Sequence, residues 1–209
     1  MDNIQVLEGE AAQLAVERLN AALTIGSGED GSPEIALCKR AGYVVVPVMY
    51  KGTLSEDLLK TIFDAVKTTG LEKMTAVGLY SAEEQHCYEL PMTLEALNEL
   101  RGTSCGVINF ALFGVQPGNE QPDWLVLFDD QVYIGYGSEA FVTTLVGDVE
   151  GSFKAIEDKL NQLYQDAQGD IPGYAKAEIN RMGEYLDAVL GRLADEYEKA
   201  EVGDRVRVV

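Results

Sequence analysis

Histidine is nearly absent. His86 is the one histidine in 209 residues. That count removes two-histidine metal sites, HExxH hydrolases and every histidine relay that does not run through His86. Cysteine is sparse too: Cys38, Cys87 and Cys105 are odd in number, lack Cys-x-x-Cys spacing and lie in apolar, strand-like stretches. A disulfide framework is disfavoured, and three reduced, shielded thiols are expected. Bases are short, 16 Lys plus Arg against 35 Asp plus Glu, for a net charge of -19. Such a surface repels phosphate backbones, and no basic patch interrupts it, so nonspecific nucleic-acid binding is disfavoured. Long apolar runs are also missing. Residues 43–50 and 106–115 are the longest; they have the length of strands and fall short of a membrane span. The opening MDNIQVLEGE shows neither a basic nor an apolar signal region, which points to a cytoplasmic protein.

What remains is an ordinary globular composition, 46% hydrophobic and 24% charged, enough to bury a core without staples. Ala12, Val16, Leu19 and Leu23 recur at helical spacing and predict a helix over residues 8–23, followed by a glycine-rich connector at 26–33. Residues 34–39 and 43–50 read as strands joined in a hairpin by Lys-Arg-Ala-Gly. Pro47 marks the second as an edge strand or a bulge. Thr53-Leu-Ser-Glu56 has the form of a capping box for a helix burying Leu59, Ile62, Phe63 and Val66, stopped by Gly70. Residues 74–80 and 86–90 are predicted strands, and 93–101 a short helix. Three more strands follow at 105–114, 124–128 and 131–136, the last two forming a hairpin at Asp129-Asp130. The Gln116 to Pro122 stretch between them reads as an exposed, protease-sensitive loop.

From Ser138 onward the pattern is helical: 139–145, then 152–167, then 174–200 with Ile179, Met182, Leu186, Val189, Leu193 and Tyr197 in one narrow stripe. The tail, Arg205 to Val209, alternates basic and apolar residues and reads as an added edge strand or a frayed end. The expected fold class is α+β: an antiparallel sheet of about five to seven strands flanked by helices, with a C-terminal helical hairpin. Residues 1–150 form the α+β domain, and 151–209 a helical segment packed on it as one structural unit. The strand–strand–helix–three-strand order resembles the sheets of PAS, GAF and roadblock-type modules, and suits helix-flanked secretion chaperones. Architecture of this kind implies no activity.

The chemistry-bearing motifs are weak. Gly26-x-Gly28-x-x-Gly31 follows a helix instead of a strand and carries Glu29 and Asp30, which would repel a pyrophosphate. Gly135-x-Gly137-x-x-Ala140 follows a strand, and Ser138 can cap the next helix, but the strand is antiparallel; small residues allowing close helix packing explain it. His86 and Cys87 adjoin on a strand and so face opposite sides, which rules out a dyad between them. Asp129-Asp130, Glu83-Glu84 and Asp148-x-Glu150 read as turn and loop carboxylates without calcium-loop spacing. No catalytic, metal or cofactor residue is assigned. Ten tyrosines are many for this length, and amphipathic rings suit both sheet packing and interfaces. Tyr133 and Tyr136, with Leu186, Leu193 and Tyr197 of the final helix, are the candidate interaction surface.

The function read from these features is a non-enzymatic, acidic, regulatory, adaptor or chaperone-like protein that binds a protein partner, a basic one by charge. No membrane partner is expected, and the last helix offers a seam for a homodimer. The alternatives are a small-ligand sensor with a pocket between sheet and helix, and an enzyme using carboxylates or a lone cysteine.

Overall fold

The structure is a computed structural model and describes residues 3–27, 33–38, 42–49, 53–79, 86–103, 109–129, 132–166 and 205–208. The chain divides into two compact units, one of Met1–Ala22 with Gly42–Gly147, the other of Leu23–Ala41 with Asp148–Val209. The division thus runs through the expected 1–150 domain, with residues 23–41 grouped with the C-terminal part.

The first unit holds β1 (Gln5–Leu7) and α1 (Gly9–Ala22) before the break. The second unit then takes β2 (Leu23–Ser27) and β3 (Pro33–Cys38). The first resumes with β4 (Tyr43–Met49), α2 (Glu56–Lys67), β5 (Lys73–Gly78), β6 (Cys87–Pro91) and α3 (Leu94–Leu100). It finishes with β7 (Phe110–Gly114), β8 (Trp124–Asp129), β9 (Val132–Ser138) and α4 (Glu139–Val146). Its seven strands make one antiparallel sheet in the order β1-β6-β5-β7-β8-β9-β4. The α+β class stands.

Pro47 lies on β4, at the edge of this sheet, where a residue without an N–H is tolerated. The expected β3–β4 hairpin does not form. β3 pairs with β2, whereas β4 pairs with β9, Val44 opposite Gly137 and Val46 opposite Gly135. The short linker predicts a local turn, but β3 pairs back onto the strand before it and β4 pairs with a strand far along the chain. The hairpin of β8 and β9 is as expected, closing at Asp129 opposite Val132.

Side-chain alternation along the register puts Met74, Ala76, Tyr88, Leu90, Phe110, Leu112, Trp124, Val126, Phe128 and Tyr133 on one sheet face. All are buried. Phe110 stacks on Phe128 at 4.5 Å between ring centroids, and Phe128 meets Tyr133 at 5.8 Å. Each such pair stabilises by about 0.5–1.5 kcal/mol beyond its buried area. Helix α4 lies on this face because β9 presents glycine there. A Cβ on Gly135 would stand 2.7 Å from Leu145 Cδ2, and one on Gly137 2.8 Å from Phe141 Cδ1. The Phe141 ring reaches Trp124 at 5.4 Å. α2 packs on both α3 and α4. On the opposite face α1 runs over β5 and β6, with the Cys87 thiol 4.0 Å from the Ala12 carbonyl.

Local signals explain the helix ends. The N-cap of α2 is Ser55, two residues after the expected Thr53; its hydroxyl accepts from the Leu58 N–H at 3.2 Å, and with leucine at that third position the expected capping box does not form. α2 buries Leu59, Ile62, Ala65 and Val66; Phe63 is half-exposed, with the Lys67 ammonium 5.1 Å above its ring. Gly70, at φ +70°, ends the turn that follows. Thr93 and Ser138 cap α3 and α4, accepting from Ala96 N–H and Phe141 N–H. α1 buries Ala15, Leu19 and Ala22, while Leu23 has already passed into a strand.

In the second unit β3 lies between β2 and β10 (Arg205–Val208), both antiparallel to it. The basic-apolar tail is therefore an edge strand. α5 (Val149–Asp166) belongs to this unit, with Ile156 buried. The predicted helix at 174–200, and with it the C-terminal hairpin, lies outside the described residues.

Candidate functional site

Of the candidate interaction residues, Tyr133 and Tyr136 stand on β9 and are 4% and 3% exposed. Tyr136 packs on half-buried Tyr43 at 5.3 Å between centroids, on the face opposite Tyr133. Burial pushes the Tyr133 phenol up to about 12. In this chain both rings are sheet packing, the first of the two uses their amphipathic character suits. Leu186, Leu193 and Tyr197 lie outside the described residues.

Cys87 is buried and free, and desolvation raises its thiol pKa, which disfavours the thiolate a nucleophile needs. His86, half-exposed, precedes it and accepts from Gly78 N–H through its backbone carbonyl. Cys38 ends β3, and Cys105 lies outside the described residues. Among the described residues no three His, Cys, Asp or Glu side chains are grouped to hold a metal ion.

Three of the described carboxylates, Asp148, Asp123 and Glu99, serve as caps and ties. Asp148 accepts from Gly151 N–H at 2.9 Å at the start of α5. Asp123 organises the loop between β7 and β8: one carboxylate oxygen accepts from Gln116 N–H at 2.6 Å, the other from the Asn119 side chain at 2.9 Å. Asn119 N–H donates to the Gln116 carbonyl, with Pro117 second and Gly118 third at φ +91°, the requirements of a type II turn. This loop is exposed at Gln116 to Gly118, as expected, but it is bonded internally and tied to Thr69 by Gln116 Nε2. Glu99 accepts from Asn3 at 2.8 Å, fastening the start of β1 to α3.

Charge is the remaining surface property. Glu10, Glu17, Glu56, Asp57, Glu72, Glu95, Glu120, Glu139 and Glu150 are exposed. Exposed Lys60, Lys73 and Lys154 are each already paired, with Asp64 at 2.7 Å, Glu89 at 2.6 Å and Asp158 at 3.1 Å. Exposed Lys67 and Arg101 also stand on this surface, but the exposed carboxylates outnumber the exposed bases among the described residues. No family model, no curated protein and no solved structure matches the chain. Among the described residues no helix is long and apolar enough to cross a membrane.

Trp124 received no role from the sequence. It is wholly buried, its indole lies against Gly114, and its Nε1–H has no hydrogen-bond partner among the described residues. The signal was present as a glycine at the end of one strand and the single tryptophan at the start of the next, separated by a turn-rich loop.

Proposed function

We propose that the chain is a non-enzymatic cytoplasmic protein that binds a basic protein partner, as a regulator, adaptor or chaperone. The observation that carries this reading is the acidic described surface, on which lysines at three exposed positions are already neutralised by neighbours. Uncompensated exposed carboxylates steer an oppositely charged partner and repel nucleic acid. The helical hairpin of residues 152–167 and 174–200 belongs to the same proposal, its Leu186, Leu193 and Tyr197 stripe supplying a docking or homodimer seam. The sensor alternative is weakened where α4 meets β9, because Leu145 and Phe141 leave no room for even a Cβ.

Affinity capture from the native host at low salt, followed by stopped-flow association with the captured protein, tests the reading. The association rate should fall at least tenfold between about 50 mM and 500 mM salt as the Debye length contracts. A rate indifferent to salt, or capture of an acidic partner only, would remove electrostatic recruitment from the account.

A further inference from the structure

We draw no further inference here: the strongest candidate, the outer edge of β1 with its exposed Val6, carries nothing because nothing in the structure shows what covers it.

Discussion

Gly114→Ala is the smallest change that tests how the core of the seven-stranded sheet is filled. Gly114 stands opposite Trp124 in the β7–β8 ladder. A methyl at residue 114 would lie 2.7 Å from Trp124 Cε2 and 2.7 Å from Leu71 Cδ1, with Trp124 Nε1 closer still. Carbon contacts are comfortable near 3.5–4.0 Å, so the ring must withdraw by more than about 0.8 Å. Trp124 is fully buried and faces Phe141, leaving little space for that withdrawal. Overpacking of this kind costs about 1–3 kcal/mol, and the rigid indole puts the expected value near the upper end. In urea the midpoint should drop by about 1 M.

The assay is built into the chain, because Trp124 is the only tryptophan. Its emission follows the first unit alone, and the maximum should shift as the ring moves. Trp124→Phe provides the control. It removes the crowded atoms together with a buried, unpaired indole N–H, whose burial is itself worth about 1–3 kcal/mol of penalty. Gly114→Ala placed in the Trp124→Phe background and followed by circular dichroism should then cost less, because only the contact with Leu71 Cδ1 remains. That gives a coupling of about 1 kcal/mol or more between the two sites. An unchanged midpoint and unchanged emission in Gly114→Ala would refute the close-approach reasoning. Equal costs of Gly114→Ala in both backgrounds would do the same.

Further expectations follow from the caps and the buried titratable groups. Ser55→Ala should destabilise by about 1 kcal/mol and Thr53→Ala by much less, read from denaturation midpoints; the reverse order would restore the capping box at Thr53. Tyr133 titrates at 10.0 when free and at about 12 when buried, so the folded form holds its proton more tightly. That contribution is complete below pH 10 and is lost as pH rises toward 12, on the order of 2–3 kcal/mol in all. Tyr133→Phe should flatten this alkaline decline in urea midpoints; an equally steep decline would assign it to other groups. Cys87 should resist alkylation at neutral pH until the first unit unfolds, since burial disfavours its thiolate. Selective modification of Cys87 in the native protein, mapped by mass spectrometry, would revive a nucleophilic role.

Helices and strands were legible where a signal is local. Ser138 beside Glu139 announced a capped helix, the spacing of Ala12, Val16 and Leu19 announced α1 although Leu23 belongs to β2, and Pro47 announced an edge or a bulge, of which the structure shows the edge. Gly135 and Gly137 carried the letters of a dinucleotide loop, and the structure uses them to admit Leu145 and Phe141. Partnership was not legible. Nothing within residues 34–50 reveals that β3 pairs with β2 while β4 pairs with β9, because pairing is decided by residues about ninety positions away in the second case. β2 was hidden for a related reason: Gly26 and Ser27 look like loop, and only the register opposite Glu34 and Pro33 makes them strand. The tyrosines show the limit for the surface, since the amphipathic rings of Tyr133 and Tyr136 suit an interface as well as sheet packing, yet β9 is buried from Val132 to Gly137.

The pairing of β4 with β9 also governs how the protein is made. On the ribosome β4 emerges early, and its partner Val132–Ser138 is still untranslated. At ordinary elongation rates β4 waits roughly 4–18 s for it. During that interval β5 and β6 can close as a local hairpin, but Tyr-Val-Val-Val-Pro-Val-Met stands with neither edge satisfied, an apolar strand of the type that aggregates. β3 waits longer for one of its two neighbours, since β10 is Arg205–Val208. High contact order of this kind predicts slow refolding and a nascent chain that depends on holding factors until its last strands arrive.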